Sequence, residues 1–490
     1  MNVGAKTKRQ VVTLADPSTH APLMLGVSGL RGIVGQSLTP MVVARYAAAF
    51  GRWLTDQPSD PYASEPRRVV IGRDSRPSGH TLEHAAAAGL ISAGCRVTHL
   101  GIATTPGVAL MTRRLGAAGG MVVTASHNPI QWNGIKLITR DGEAPPPDQV
   151  EQIIRIFETD VAQTVDLHAQ QDVEHDDSAA VTHVRCILDH VDRDAIGRRK
   201  LRVVLDSVHG AGGPSTAMLL GDLGVEVMHL FAEPTGRFPH PPEPTRQHLT
   251  QLCDAVCDHD ADLGFAQDPD ADRLAIVDET GAYIGEEYTL ALCCLHLLTR
   301  TGGGIGEARA VVANLSTSRM VDDIAAAHGA GVIRTPVGEA HVAAAMRRHD
   351  AVIGGEGNGG VIFAGVGLVR DSLASIGLIL EMIAQRDRPV SRLAVEIPSY
   401  TIIKEKAAFG GAVSAESLTT DGIASMICAQ FPDQKIDTQD GVRVDFPDRW
   451  VHVRPSNTEP ILRIVAEAHN ESDAREMIRR VRRSLGLDPA

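Results

Sequence analysis

Aromatic residues are scarce in this chain, at 3% of 490 residues, so stacking platforms for nucleic-acid bases are not a theme of its surface. A basic excess is missing too. The formal charge of −13 argues against a general binder of phosphate backbones, although a few local arginines suffice for a small anion. The seven cysteines contain no C-x-x-C pair and build no dense framework. An odd cysteine count, with no signal-like apolar stretch in MNVGAKTKRQVVTLADPS, points to a reducing cytoplasm. No apolar run approaches the roughly 20 residues needed to cross a bilayer, so neither membrane nor nucleic acid is an expected partner. Against these absences, 43% hydrophobic and 22% charged residues describe an ordinary packed protein. At this length a single core is excluded, and three or four domains are expected.

Three stretches share one pattern. Residues 69–101 (VVIGRDSRPSGHTLEHAAAAGLISAGCRVTHLG) read as an apolar strand, a Gly/Ser turn, a helix, then a Gly turn into a second strand. Residues 201–231 and 308–338 repeat that order at nearly the same lengths. Strand–helix–strand with a short crossover implies right-handed parallel pairing in an α/β layer. Copies more than about a hundred residues apart suggest similar domains, not a solenoid, whose period would be roughly 20–50. Composition breaks divide the chain into 1–165, 166–285, 286–392 and 393–490. The last of these holds alternating strands such as PILRIVAEA and ends in the helix ESDAREMIRRVRRSLG, whose arginines read as a solvated face.

Several stretches carry residues suited to chemistry. In VVTASHNPIQWNGIK (122–136), a strand runs into an Asn-Pro turn that would expose the Ser126 hydroxyl at a loop tip. Ser126 with His127 as base is one reading and a polar turn capped by Asn128 the other; the G-x-S-x-G elbow of hydrolases is absent. In AQDPDADRLAIVDE (266–279), Asp268, Asp270 and Asp272 alternate, which would put three carboxylates on one face of an extended segment. Oxygen ligands suit Mg²⁺ or Ca²⁺. An EF-hand loop fails because Arg273 stands where the turn wants glycine and the flanks read as strands. A solvated acidic turn is the remaining alternative. IGGEGNGGVIF (353–363) is a glycine-rich loop in which Glu356 and Asn358 can hydrogen-bond sugar hydroxyls. VHVRPSNTEPILR (451–463) gathers Arg454, Ser456, Asn457 and Thr458 in a turn suited to one anion, or serves as a plain Arg-Pro turn. GVSGLRGIVG (26–35) places Arg31 in a glycine-flanked loop, as a second phosphate contact or a loop anchor.

Taken in order, these five stretches resemble the α-D-phosphohexomutases: phosphoglucomutases, phosphomannomutases and phosphoglucosamine mutases. The resemblance spans about residues 26–465. It implies three similar mixed α/β domains plus a smaller C-terminal α+β domain around a central cleft, each contributing one loop. It implies phosphorylation of Ser126, one Mg²⁺ held by Ser126, Asp268, Asp270 and Asp272, and a hexose 1,6-bisphosphate as intermediate and activator. Arg273 and Arg31 would offset charge, Arg454 with Ser456, Asn457 and Thr458 would grip the non-reacting phosphate, and Glu356 and Asn358 would hold the sugar. His127 and Lys136 are the candidates for proton transfer, Lys136 through a pKa lowered by positive neighbours. A monomer or homodimer in the cytoplasm is expected.

Two departures stand out. Pro269 replaces the usual glycine of the metal loop, which stiffens it without touching a ligand. The familiar G-E-x-S-G-H sugar loop appears as G-E-G-N-G-G, with Gly360 in place of histidine. That loop looks most like the archaeal-type phosphoglucosamine mutases, so glucosamine phosphate leads among substrates. Mannose or glucose phosphates come second. A phosphoserine-dependent phosphatase and a non-catalytic sugar-phosphate binder are the remaining alternatives.

Overall fold

The computed structural model describes residues 23–26, 29–56, 67–159, 173–300, 310–408, 420–455 and 461–487. The expected division at 165/166, and Ser456, Asn457 and Thr458 of the anion turn, lie outside them.

One strand arrangement recurs three times. In the first sheet the order Arg96–Ile102, Arg68–Arg73, Gly119–Val123, Trp132–Thr139 has its first three strands parallel and the fourth antiparallel. Glu226–Leu230, Arg202–Asp206, Leu263–Gln267 and Leu274–Asp278 repeat it in the second. Gly331–Thr335, Ala310–Asn314, Ile353–Glu356 and Gly360–Phe363 repeat it in the third. The central parallel strands are short, largely apolar runs buried along nearly all their length, as sheets covered by helices on both faces require. The first sheet also takes in Gly29–Ile33 and Met24–Gly26 beyond Trp132–Thr139. Arg31, expected in a loop, is therefore on a strand, because its glycine-rich run pairs with Trp132–Ile135.

This repetition decides where the motifs go. The hairpin joining the third and fourth strands of each unit is residues 124–131, 268–273 and 357–359 respectively. These are the serine, aspartate and glycine-rich stretches, each at the carboxyl end of a parallel strand, where open α/β sheets place ligands.

The fourth sheet is wholly antiparallel, in the order Thr401–Ala408, Ile461–Ala468, Trp450–Pro455, Val442–Asp445, Lys435–Asp437. Helices Thr420–Gln430 and Glu471–Ser484 complete it, with a core of its own around Ile427, Val453, Ile464 and Ile478. By contrast, the second and third units share one core, built on helices Glu287–Thr299 and Ser372–Arg386. Arg319 ties the third unit to the fourth, donating to Phe446 O at 3.3 Å and Pro447 O at 2.7 Å. Among the described residues, no helix is long and apolar enough to cross a membrane.

Candidate active site

Ser126 follows a buried strand and adopts φ +50°, left-handed backbone that a non-glycine residue holds only at some cost. Its surroundings enforce that shape. Thr124 Oγ1 accepts from Ser126 N at 2.9 Å and donates to Asp74 at 2.6 Å. Arg76, paired with Asp74, donates to the carbonyls of Ser126 and Asn128 at 2.8 and 2.5 Å. The turn therefore does not expose its serine: Ser126 is 1% accessible, because the second unit's hairpin packs against it. Its hydroxyl donates to Asp268 Oδ2 at 2.7 Å and lies 3.4 Å from His127 Nδ1.

Asp268, Asp270 and Asp272 are fully buried, and one oxygen of each lies within 4.8 Å of the others. They converge by a different route from the one alternation suggests. The segment is a tight turn with Ala271 at φ +55°, in which Asp268 Oδ1 accepts from the amides of Asp272 and Arg273 at 3.0 and 3.1 Å. Thr105, at the start of helix Thr105–Arg114, donates to Asp270 Oδ2 at 2.6 Å. Lys136 Nζ bridges Asp270 Oδ2 and Asp272 Oδ2 at 2.6 Å each. Asp270 Oδ1 and Asp272 Oδ1 are buried with no hydrogen-bond partner. Two orphaned carboxylate oxygens in an all-oxygen set fit a hard divalent cation.

The electrostatics overturn one expectation. Burial alone would lower the Lys136 pKa, but the carboxylates of Asp270 and Asp272 outweigh it and the net shift is upward. Lys136 stands beside two acids whose effect exceeds that of its positive neighbour Arg370, and it holds its proton. His127 goes the other way: burial, then Arg273 and Arg31, keep its imidazole well below the usual histidine range, so it is neutral at pH 7. Burial and the neighbouring carboxylates raise Asp268, whereas for Asp272 Arg370, Lys136 and Arg273 outweigh burial and hold it ionised. Arg31 donates to Asn128 Oδ1 at 3.2 Å, and Arg273 reaches Glu243 across 3.7 Å.

A second cluster forms between the third and fourth units. Glu356 accepts from Asn314 Nδ2 at 2.8 Å, Gly338 N at 3.1 Å, Arg370 Nη1 at 2.9 Å and Asn358 Nδ2 at 3.4 Å. Burial opposes its charge, but Arg370 and these donors keep it a carboxylate. Glu356 and Asn358 line a cavity of about 300 Å³, whose far wall carries Lys404, Lys406, His452, Arg454 and Arg463. Lys406, Arg463 and Arg454 stand directly opposite one another across three adjacent strands. Like charges in register repel, and such a row on a cavity wall suits an anion. The two clusters are joined by Arg370, whose other nitrogen, Nη2, donates to Asp272 Oδ2 at 2.6 Å.

The structure thus brings Ser126, His127, Lys136, Arg31, the aspartates and Arg273 together at one end, and Glu356, Asn358 and Arg454 at the other. Sequence reading passes over Arg463, which strand pairing places directly opposite Arg454. It also passes over Thr105, Arg76, Lys404, Lys406 and Arg370, which no local pattern marks.

Models of the four phosphoglucomutase/phosphomannomutase domains, alpha/beta/alpha domains I, II and III and the C-terminal domain, match residues 22–164, 181–281, 286–400 and 414–484. The chain belongs to this family. A probable phosphoglucosamine mutase of Methanopyrus kandleri is 37% identical over 453 residues, 92% of this chain and 95% of that protein. A phosphoglucomutase/phosphomannomutase of Thermococcus kodakarensis is 37% identical over 456 residues, 93% of this chain and 96% of that one. A crystal structure of a family member from Burkholderia thailandensis superposes with a TM-score of 0.79 at 26% identity, covering 94% of this chain and 98% of its own. The phosphohexomutase is thus an isomerase-family enzyme with the four-domain architecture expected from its repeats.

Proposed function

We propose that this phosphohexomutase interconverts glucosamine 6-phosphate and glucosamine 1-phosphate through a phosphoryl group carried on Ser126. The observation that carries the reading is the 2.7 Å bond from Ser126 Oγ to Asp268, inside a buried carboxylate cluster that also engages Lys136. Ser126, Asp268, Asp270 and Asp272 would hold one Mg²⁺, which when bound neutralises charge on the transferring phosphoryl group. Phosphorylated Ser126 gives its phosphoryl to the free sugar oxygen; the Oγ–P bond breaks as the sugar O–P bond forms. The neutral imidazole of His127 suits the role of base for the sugar hydroxyl and can pass that proton to the leaving Ser126 Oγ, 3.4 Å away, while the Lys136 ammonium, which keeps its proton, suits that of a fixed positive charge. The resulting hexose 1,6-bisphosphate reorients and returns its other phosphate to Ser126.

Arg31 and Arg273 offset charge near Ser126. Arg454, with Ser456, Asn457 and Thr458, grips the phosphate that is not reacting, and Glu356 and Asn358 hold the sugar. Each of the units 1–165, 166–285, 286–392 and 393–490 contributes one loop. Support for the amino sugar comes from the G-E-G-N-G-G loop, from the relatives named probable phosphoglucosamine mutase, and from Glu356 as a carboxylate beside the cavity. The Thermococcus relative, equally similar and named for glucose and mannose, favours a second reading with those sugars. Turnover of glucosamine 6-phosphate against glucose and mannose 6-phosphates separates the two. Intact mass before and after incubation with a hexose 1,6-bisphosphate tests the core of the proposal: no phosphate adduct at Ser126 would sink it.

A further inference from the structure

Gly360 opens the strand that leaves the glycine-rich hairpin, and the structure gives its side-chain space an occupant. A Cβ built at Gly360 would meet Arg370 Cδ at 2.3 Å and Arg370 Cγ at 3.1 Å, with Asn358 Oδ1 at 3.0 Å. The first obstacle to a side chain there is therefore the stem of Arg370. That arginine is 7% accessible and comes from the segment preceding helix Ser372–Arg386. Glu339 fixes its backbone, accepting from Arg370 N at 2.7 Å. Its guanidinium then spans two loops, with Nη1 on Glu356 Oε2 at 2.9 Å and Nη2 on Asp272 Oδ2 at 2.6 Å. The loops also touch through backbone, Leu274 N donating to Gly359 O at 3.0 Å. A planar fork with fixed donor directions links two carboxylates more rigidly than an ammonium on a flexible stem.

We propose that Arg370 is a positioning residue of the sugar end, standing in the space Gly360 leaves open and locking the Glu356 carboxylate to that of Asp272. Sugar contacts at Glu356 are thereby mechanically tied to the hairpin that faces Ser126. The role assigned to Glu356 rests on the phosphohexomutase reading above.

The test is a double-mutant cycle of Arg370→Ala and Gly360→Ala, with Arg370→Lys alongside, in the Ser126→Ala background so that binding is read without turnover. Calorimetry follows glucosamine 6-phosphate and glucose 6-phosphate in the presence of Mg²⁺, and Mg²⁺ alone. Arg370→Ala should weaken sugar-phosphate binding about 10- to 100-fold, the range for losing a charged hydrogen bond, and Arg370→Lys should recover only part. Gly360→Ala should weaken it by driving Arg370 aside, yet add nothing once Arg370 is alanine. Mg²⁺ alone should bind R370A at least as tightly as the parent, because a cation beside Asp272 is gone. Multiplicative effects in the cycle, native sugar binding in R370A, or loss of its Mg²⁺ binding would each overturn the proposal. If R370A does not fold, G360A carries the test, and unchanged sugar binding overturns it. If the parent binds neither sugar phosphate, the functional reading has failed instead. Non-additivity of the cycle in Mg²⁺ affinity then supports the Gly360–Arg370 coupling, and additivity overturns it.

Discussion

The two ends of the cleft handle charge in opposite ways. Around Ser126, carboxylates and cations neutralise one another inside the protein: Lys136 bridges two aspartates, Arg370 adds to one of them, and Asp268 accepts from the serine. Around Arg454 the cations are gathered together, with Lys406, Arg463 and Arg454 in register across three strands and Arg463 Nε lacking a partner. Arg454 reaches Asp440 across 3.5 Å, a loose contact for an arginine beside a cavity. At the first end most charges already have partners, and Asp270 Oδ1 and Asp272 Oδ1 are the carboxylate oxygens left over. At the second, like charges share one cavity wall.

Five experiments probe that contrast, the largest effect first. Ser126→Ala should cut turnover by about 10⁴-fold or more, as loss of a covalent carrier does, and abolish the phosphate adduct in intact mass. Its affinity for sugar phosphate should stay within a few-fold, because the holding end is untouched. Lys136→Met should unfold at markedly lower temperature, about 3–5 kcal/mol less stable, since it strands Asp270 and Asp272 without their shared partner. Added Mg²⁺ should restore much of that loss; an unchanged melting curve would mean the buried charges are not interlocked. Arg454→Ala should leave folding intact and raise KM about 10- to 100-fold, more than it lowers kcat.

The fourth test is pH. Burial depresses the pKa of His452 to about 4, from an ordinary 6.5. The unfolded chain therefore binds a proton that the folded one rejects, and stability is present above pH 6.5 and lost as pH falls towards 4, at about 1.4 kcal/mol per unit. Thermal unfolding from pH 7 to pH 4 should show at least this slope, since burial also depresses His99 and His127, and His452→Gln should reduce it by about one group's share. Last, Arg347→Ala removes a half-exposed arginine from exposed Asp141 and from Glu143, which is buried, outside both ends. It should cost about 1–2 kcal/mol, for the Glu143 carboxylate left without its partner, and an unchanged melting temperature would show that water replaces the arginine.

Much of this was legible without coordinates. The strand–helix–strand periodicity announced three like units, and the Ser126, Asp268–Asp272, Glu356 and Arg454 stretches were conspicuous because turn residues and polar side chains interrupted apolar runs. Less legible was burial: Ser126 read as exposed because its turn is polar, and only a second hairpin packed over it makes it 1% accessible. The direction of the Lys136 shift is hidden for the same reason, since the acids that reverse its sign lie 134 and 136 positions further along the chain.

By itself, then, the sequence determined the family, the repeated units, and which short stretches carry chemistry, because turn chemistry and hydrophobic period act over a few residues. Tertiary structure decided that the three hairpins meet at like positions of like sheets, that Lys406, Arg463 and Arg454 form one row, and that Arg370 occupies the space beside Gly360. Those facts depend on strand register and on packing between units. Charges and volumes brought together from distant positions leave no local pattern to read.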